Sequence, residues 1–286
     1  AAQRVACRER TPECLDLTVF YTNHIPMKRL FLLFVLACAA VCLRAAQPDS
    51  TRVLFIGNSY TYYNDMPEML RKLAAGAANS EKLNISYKAF TPRGCTLRRH
   101  AANEELRKAI AAGGWDYVVI QEQSSAPARH SATVARDTYP YARTLDSLVH
   151  AASPDAEVIF YMTWGHKDGC QTRHDGYPLI DTYEGMQQRL ADSYLEMAYD
   201  NGGRCAPVGL AWKRVRTERP YEILYTADRS HPSRLGSYLA ANVILATMLA
   251  RPFQSSFTAD LDPALCEYIQ ATAQHTVLSN KNIDAK

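Results

Sequence analysis

From Val53 onward, apolar runs alternate with longer stretches of helical periodicity. Five runs read as strands, at 53–56, 84–90, 117–121, 157–163 and 205–211. In Val118-Val119-Ile120 and Val158-Ile159-Phe160 the apolar positions are continuous rather than alternating. Strands of that kind are buried on both faces, as in a parallel sheet covered by helices. Helical stretches fall at about 65–78, 97–112, 132–151, 182–200 and 233–250, with a last one at about 262–279. Asp65-Met66-Pro67-Glu68 offers a capping Asp and a first-turn Pro, and Gly113-Gly114 and Gly202-Gly203 suit left-handed helix ends. The alternation predicts βαβ units in one α/β domain, a three-layer α/β/α sandwich, over residues 47–286.

The first 46 residues stand outside this pattern. Met27-Lys28-Arg29 opens a basic stretch, residues 30–43 are almost wholly apolar, and Ala45-Ala46 leads into polar sequence. That layout predicts a secretory signal at 27–46, with an uncleaved signal anchor as the alternative; the apolar run is short for a membrane span. Residues 1–26 lack periodicity and precede a start methionine, so they read as an upstream extension that is not part of the working protein. Val35-Leu36-Ala37-Cys38 is similar to a lipoprotein signal with Cys38 as the acylated residue, but Leu36 fits it poorly. Simple secretion, to the periplasm or the exterior, therefore ranks above a membrane anchor.

Setting that segment aside changes the charge picture. Residues 1–46 hold six of the 32 Lys and Arg and three of the 29 Asp and Glu, leaving 26 of each. The remaining domain is neutral and has no polybasic face for nucleic acid. Its four cysteines, Cys95, Cys170, Cys205 and Cys266, are too widely spaced for a small disulfide framework. One or two bridges, or buried free thiols, are both open.

Two segments carry chemistry. Gly57-Asn58-Ser59 follows the first strand directly, which puts a serine at the mouth of the sheet beside backbone N–H groups that can stabilise an oxyanion. Asp228-Arg229-Ser230-His231-Pro232 sets a carboxylate three residues from an imidazole, just before a helix. A serine hydroxyl needs a base to take its proton, and that base needs an acid to fix its tautomer. Read alone, Ser59 would equally be a helix cap, and Asp228 and His231 an ordinary helix start.

In combination these segments resemble the motifs of the SGNH (GDSL-like) hydrolases, whose first motif is a strand followed by Gly-Asp-Ser and whose last is Asp-x-x-His-Pro. The resemblance spans roughly residues 51–250. It implies a flavodoxin-like sandwich with a five-stranded parallel sheet, and ester hydrolysis without a cofactor by Ser59, His231 and Asp228. Within it, Gly94 after the second strand corresponds to the family's glycine oxyanion donor, and Ser59 supplies another N–H. The family's Gly-x-Asn-Asp motif is replaced by Gln121-Glu122-Gln123-Ser124-Ser125. A glutamine amide donates the same kind of hydrogen bond, so Gln123 is the expected third donor, with Gln121 second. This Gln-rich motif is similar to that of an exported bacterial subgroup. Asn58, Gln121, Trp164 and His166 are candidate substrate contacts. Trp164 is equally suited to stacking on a sugar and to plugging the core edge.

His166, Asp168, Cys170, His174 and Asp175 crowd one loop, yet Gly165, Gly169 and Gly176 argue against the helix that a His-x-x-x-Cys-x-x-x-His metal site would need. No metal is expected, and Gly57-Asn58-Ser59 lacks dinucleotide-binding spacing. The expected protein is an exported esterase for short acyl groups, O-acetyl groups on carbohydrates included. The alternatives are a non-catalytic carbohydrate-binding protein on the same fold, or a lipase- or thioesterase-like enzyme.

Overall fold

The computed structural model describes residues 50–78, 83–171 and 179–279. The expected leader, Cys38, His174 and Asp175 lie outside the described residues. Five strands form one sheet: β1 (Thr51–Ile56), β2 (Ile85–Phe90), β3 (Tyr117–Ile120), β4 (Glu157–Tyr161) and β5 (Arg204–Ala206). They are all parallel, in the order β2-β1-β3-β4-β5. This is the expected flavodoxin-like arrangement, with its topological switch point between β1 and β3, where ligands bind beyond the carboxyl ends of the strands.

Successive side chains point to opposite faces of the sheet. Val53, Phe55, Val119 and Ile159 therefore join one core with helices α2 (Met66–Ala75), α8 (Val208–Glu218), α9 (Arg234–Leu249) and α10 (Pro263–Leu278). Leu54, Ile56, Val118 and Phe160 join a second core with α3 (Leu97–Ala101), α4 (Glu104–Ala111), α6 (Tyr139–Ala152) and α7 (Tyr183–Asp200). The two remaining helices are short: α1 (Ser59–Tyr62), directly after β1, and α5 (Ser131–Asp137).

Among the expected boundaries that differ, three have a plain local reason. The strand foreseen at 205–211 stops at Ala206, because Pro207 has no N–H for a ladder and α8 begins at Val208. The helix foreseen at 97–112 is two helices, split where Asn103 Oδ1 accepts from Leu106 N at 2.8 Å and starts a new one. The helix at 132–151 breaks at Thr138, and Pro140 sits in the first turn of α6.

Cys95, Cys205 and Cys266 are buried free thiols, and Cys170 is buried. Among the described residues no helix is long and apolar enough to cross a membrane.

Helix α9 packs closely on Trp212 of α8 and on the loop at Leu224 through Gly236, where a Cβ would sit 2.4 Å from the Leu224 carbonyl oxygen and 2.5 Å from Trp212 Cη2. Gly236→Ala is expected to cost about 1–3 kcal/mol by overpacking. In urea unfolding this appears as a lower midpoint with an unchanged slope.

Candidate active site

The turn after β1 is fixed from every side. A Cβ at Gly57 would lie 2.4 Å from Thr61 Oγ1 and 2.7 Å from Gln121 Oε1, so only glycine fits. Asn58, 2% exposed, caps α1: its Oδ1 accepts from Tyr60 N at 3.1 Å, and its Nδ2 donates to Cys95 O at 3.0 Å. Gln121 Oε1 accepts from Asn58 N and from Thr61 Oγ1, both at 2.9 Å. His100 Nε2 donates to Gly57 O at 2.7 Å, and burial keeps that imidazole below its usual pKa. Ser59 N–H, at the first position of α1, has no acceptor among the described residues.

The second segment forms a tight loop. Tyr225 and Pro232 bridge antiparallel, and Thr226 N donates to His231 O at 2.9 Å. Arg229 takes a left-handed backbone (φ 64°). Asp228 Oδ1 accepts from the N–H groups of Ser230 and His231, both at 2.9 Å, and from Thr226 Oγ1 at 2.8 Å. Its Oδ2 lies 2.5 Å from His231 Nδ1, and His231 Nε2 lies 2.9 Å from Ser59 Oγ. A carboxylate only accepts, so Nδ1 carries the proton and Nε2 is left to accept from the serine. Partial burial opposes the charge on Asp228, but those N–H groups, the imidazole and Thr226 outweigh it and hold the carboxyl far below its usual range.

Side-chain bonds lock the two segments together. Tyr60 OH is 2.6 Å from Ser230 Oγ; Asn64 Nδ2 donates to Pro232 O at 3.1 Å and to Ser237 Oγ at 2.9 Å; Ser237 Oγ donates to Tyr63 O at 3.1 Å. Two aromatic rings flank the imidazole. Tyr63 stacks on it with centroids 4.4 Å apart and planes at 17°, and Tyr60 meets it edge-on at 5.4 Å. Tyr63, Tyr60, Asn64 and His100 were not singled out from the sequence. Only tertiary packing gives them roles, although Tyr60 to Asn64 follow the nucleophile directly.

The other expected site residues divide. Gly94 lies in the turn after β2 with φ 61°; no atom within 4 Å would meet a Cβ there, so its glycine serves backbone conformation rather than space. Gln123, the expected third oxyanion donor, spends its oxygen and one of its two N–H groups within its own loop. Its Oε1 accepts from Ser125 N, Ser125 Oγ and Ala126 N, and its Nε2 donates one hydrogen to Ser124 Oγ. Gln121 and Asn58 are buried supports of the turn rather than substrate contacts. Trp164 is fully buried, stacked on Trp212 at 3.9 Å and on Tyr60 at 4.6 Å, and its Nε1 donates to Ser230 O. That settles its two readings for the core. His166 stays at the site, with Nε2 3.4 Å from Ser124 Oγ. Burial lowers its pKa, Asp228 pulls it up, and His231 pushes it down. In the loop weighed for metal binding, Asp168 pairs with Arg229 instead, and among the described residues no group of three His, Cys, Asp or Glu is placed to hold an ion.

Glu122 lies behind the nucleophile turn, 1% exposed. Its Oε1 accepts from Leu97 N at 3.1 Å and Gln123 N at 2.5 Å, while Oε2 is buried without a partner. Burial pushes this carboxyl up to about 7 against the pull of those two N–H groups and of Arg129.

No protein-family model and no curated protein matches the chain. Solved structures do, and what they share with it is the α/β/α sandwich fold. A candidate SGNH hydrolase from Slackia heliotrinireducens superposes with a TM-score of 0.56 at 29% identity, over 70% of this chain and 99% of that one. A DUF4886 family protein from Bacteroides uniformis gives 0.63 at 19% identity, over 80% and 95%. A candidate GDSL-like lipase from Parabacteroides merdae gives 0.51 at 14% identity, over 69% and 94%. The chain is similar in fold to the SGNH hydrolases, with 29% identity to the Slackia protein.

Glu122 ties stability to pH. The folded carboxyl keeps its proton up to about 7, against 4.5 for the ordinary group. Between those values the folded state binds more protons than the unfolded one. Its contribution is therefore complete below about 4.5 and is lost as pH rises through about 7, a change on the order of 3 kcal/mol. Glu122→Gln has no such dependence. The wild-type melting temperature, measured against that of the variant, is expected to fall by several degrees between pH 5 and pH 8.

Proposed function

We propose that the protein is an exported serine esterase that removes short acyl groups, O-acetyl groups on carbohydrates among them. The observation that carries this reading is the unbroken relay from Asp228 Oδ2 through His231 to Ser59 Oγ, at 2.5 and 2.9 Å. Export rests on the basic and apolar layout of residues 27–46.

In this mechanism Ser59 Oγ attacks the ester carbonyl while His231 Nε2 takes its proton. Asp228 holds the ring in register and stabilises the imidazolium. The N–H groups of Ser59 and Gly94 take the developing oxyanion. His231 then protonates the leaving alcohol, giving an acyl-serine. Water, deprotonated by His231, attacks the acyl carbon and releases the acid and the free serine. The neighbouring cleft favours a polar alcohol over a lipid chain: Thr96, Arg98, Glu122, Gln123 and Arg129 line it, and Ala126 adds the only apolar side chain among its described lining residues.

The direct test is p-nitrophenyl acetate turnover. Ser59→Ala and His231→Gln are each expected to lower kcat by about 10³-fold or more. Equal rates in wild type and Ser59→Ala would remove the esterase and leave the carbohydrate-binding alternative. Tyr63→Leu, which removes the ring from the imidazole face, is expected to lower kcat by about threefold to tenfold, with Tyr63→Phe near wild type.

A further inference from the structure

A pocket of about 490 Å³ opens beside the loop that carries Asp228 and His231. Thr226, Ala227 and Arg229 of that loop line it, together with Arg216 of α8 and Lys167 from the segment after β4. Ser59, Asp228 and His231 are not among its lining residues, so it is a second site rather than part of the relay. We infer that this pocket binds a sugar-sized ligand carrying an oxyanion, either a carboxylate or a sulfate ester. The inference concerns binding alone and stands apart from the esterase reading.

Charge is the first argument. Lys167, Arg216 and Arg229 line the pocket against one acidic lining residue, Glu222, which itself lies 3.7 Å from Arg219. Asp168 pairs with Arg229. That carboxyl is held below its usual range by Arg229 first, with Lys167 and Arg216 adding to the pull. Three cations thus share one carboxylate. Among the described residues Lys167 and Arg216 form no ion pair. All three are within reach of solvent: Lys167 and Arg229 are exposed and Arg216 is half-buried. A concave surface with an excess of one sign concentrates counter-charge, so an anion gains more here than on a flat face.

The cations are also held in place before any ligand arrives. The Arg216 guanidinium carbon lies 3.8 Å from the Tyr183 ring centroid and 5.5 Å from that of Tyr225. Its Nη1 donates to Tyr225 OH at 3.2 Å, and that hydroxyl donates to Gly165 O at 2.7 Å. Its Nη2 lies 3.5 Å from Lys167 O. A guanidinium has five N–H groups, so most of the fork is left for an oxyanion, whose paired oxygens it matches. Lys167 N donates to Arg229 O at 2.8 Å, which fixes the two cation-bearing segments to each other.

Apolar surface is the second argument, and it sets the size of the ligand. Tyr221 and Ile223 line the same pocket yet are 95% and 73% exposed. Large apolar side chains left open at the rim of a charged pocket suit a ligand with an apolar face as well as a charge. A sugar acid has both, with a C–H face on the ring and the oxyanion at its edge. A bare inorganic anion would use the cations and leave Tyr221 and Ile223 uncovered. An acyl chain would cover them and leave the cations unmet.

The test uses ligands without a carboxylic ester, so it reads binding and not hydrolysis. Wild-type protein is titrated by calorimetry at an ionic strength of about 20 mM, where surface charge is weakly screened. The probes are D-galacturonate, D-galactose 6-sulfate, D-galactose and inorganic sulfate. Saturable binding of at least one of the two acid sugars is expected, with galactose weaker by about tenfold or more. The tighter acid sugar identifies the oxyanion. Lys167→Met and Arg216→Met are each expected to weaken it by about tenfold, and Ser59→Ala to leave it unchanged. Thermal melts check folding. The Lys167 ammonium makes no hydrogen bond among the described residues, so Lys167→Met decides if Arg216→Met does not fold. Failure of both acid sugars to bind, galactose binding as tightly as they do, or unchanged affinity in the folded variants overturns the inference. Binding of inorganic sulfate with neither acid sugar bound overturns it too, and marks an adventitious ion only. None of these results bears on p-nitrophenyl acetate turnover, so the pocket and the esterase stand or fall separately.

Discussion

The site depends on two segments, 172 positions apart, gripping each other across the carboxyl edge of the sheet. The parallel sheet brings them near, but nearness is not register. Register comes from Tyr60 against Ser230, Asn64 against Pro232 and Ser237, and Ser237 against Tyr63. Each bond contributes about 1 kcal/mol in isolation. Together they are partly buried and share partners, so loosening one frees the next. The serine–imidazole distance is therefore a property of this network rather than of either segment alone.

The same logic explains a departure in the first motif. Asn58 stands where the family carries Asp. Its Nδ2 donates to Cys95 O while its Oδ1 accepts from Tyr60 N. An aspartate would keep the second bond and set a carboxylate oxygen against a carbonyl in the first, inside a buried turn. Asn58 thus belongs with Gln121, whose single oxygen holds both Asn58 N and Thr61 Oγ1. The Gln-rich stretch after β3 follows as a consequence. Gln121 faces inward to carry the turn, Glu122 anchors Leu97 N, and Gln123 closes its own loop.

What was legible in the sequence follows from what each signal depends on. The sheet was readable because Val118-Val119-Ile120 and Val158-Ile159-Phe160 are apolar on both faces, which only a covered parallel sheet requires. Ser59, His231 and Asp228 were readable as a set because their chemistry needs those residue types near strand and helix ends. Helix breaks were less so: Asn103 and Thr138 interrupt patterns whose apolar period continues past them. Gln123 was legible only in part, because an amide in sequence gives no direction. Its oxygen turns to Ser125 and Ala126, which offer three donors two and three residues away. Tyr63 and His100 carried no local signal, because each acts on a residue distant in the chain.

Trp164 joins these threads. Its ring lies between Trp212, deep against α9, and Tyr60, which meets His231 edge-on. Rigidity therefore passes from the core through three stacked rings to the loop that carries Asp228 and His231, with Trp164 Nε1 also holding Ser230 O. On its other face the imidazole meets Tyr63 almost in parallel. A flat partner resists ring rotation better than an aliphatic one, and its negative face favours the imidazolium that the proposed acyl transfer calls for. Asp228 can then remain about half exposed, with a side chain 47% accessible, because orientation does not rest on it alone. The carboxylate sets the tautomer, the aromatic rings hold the plane, and the serine is held by the turn beneath it.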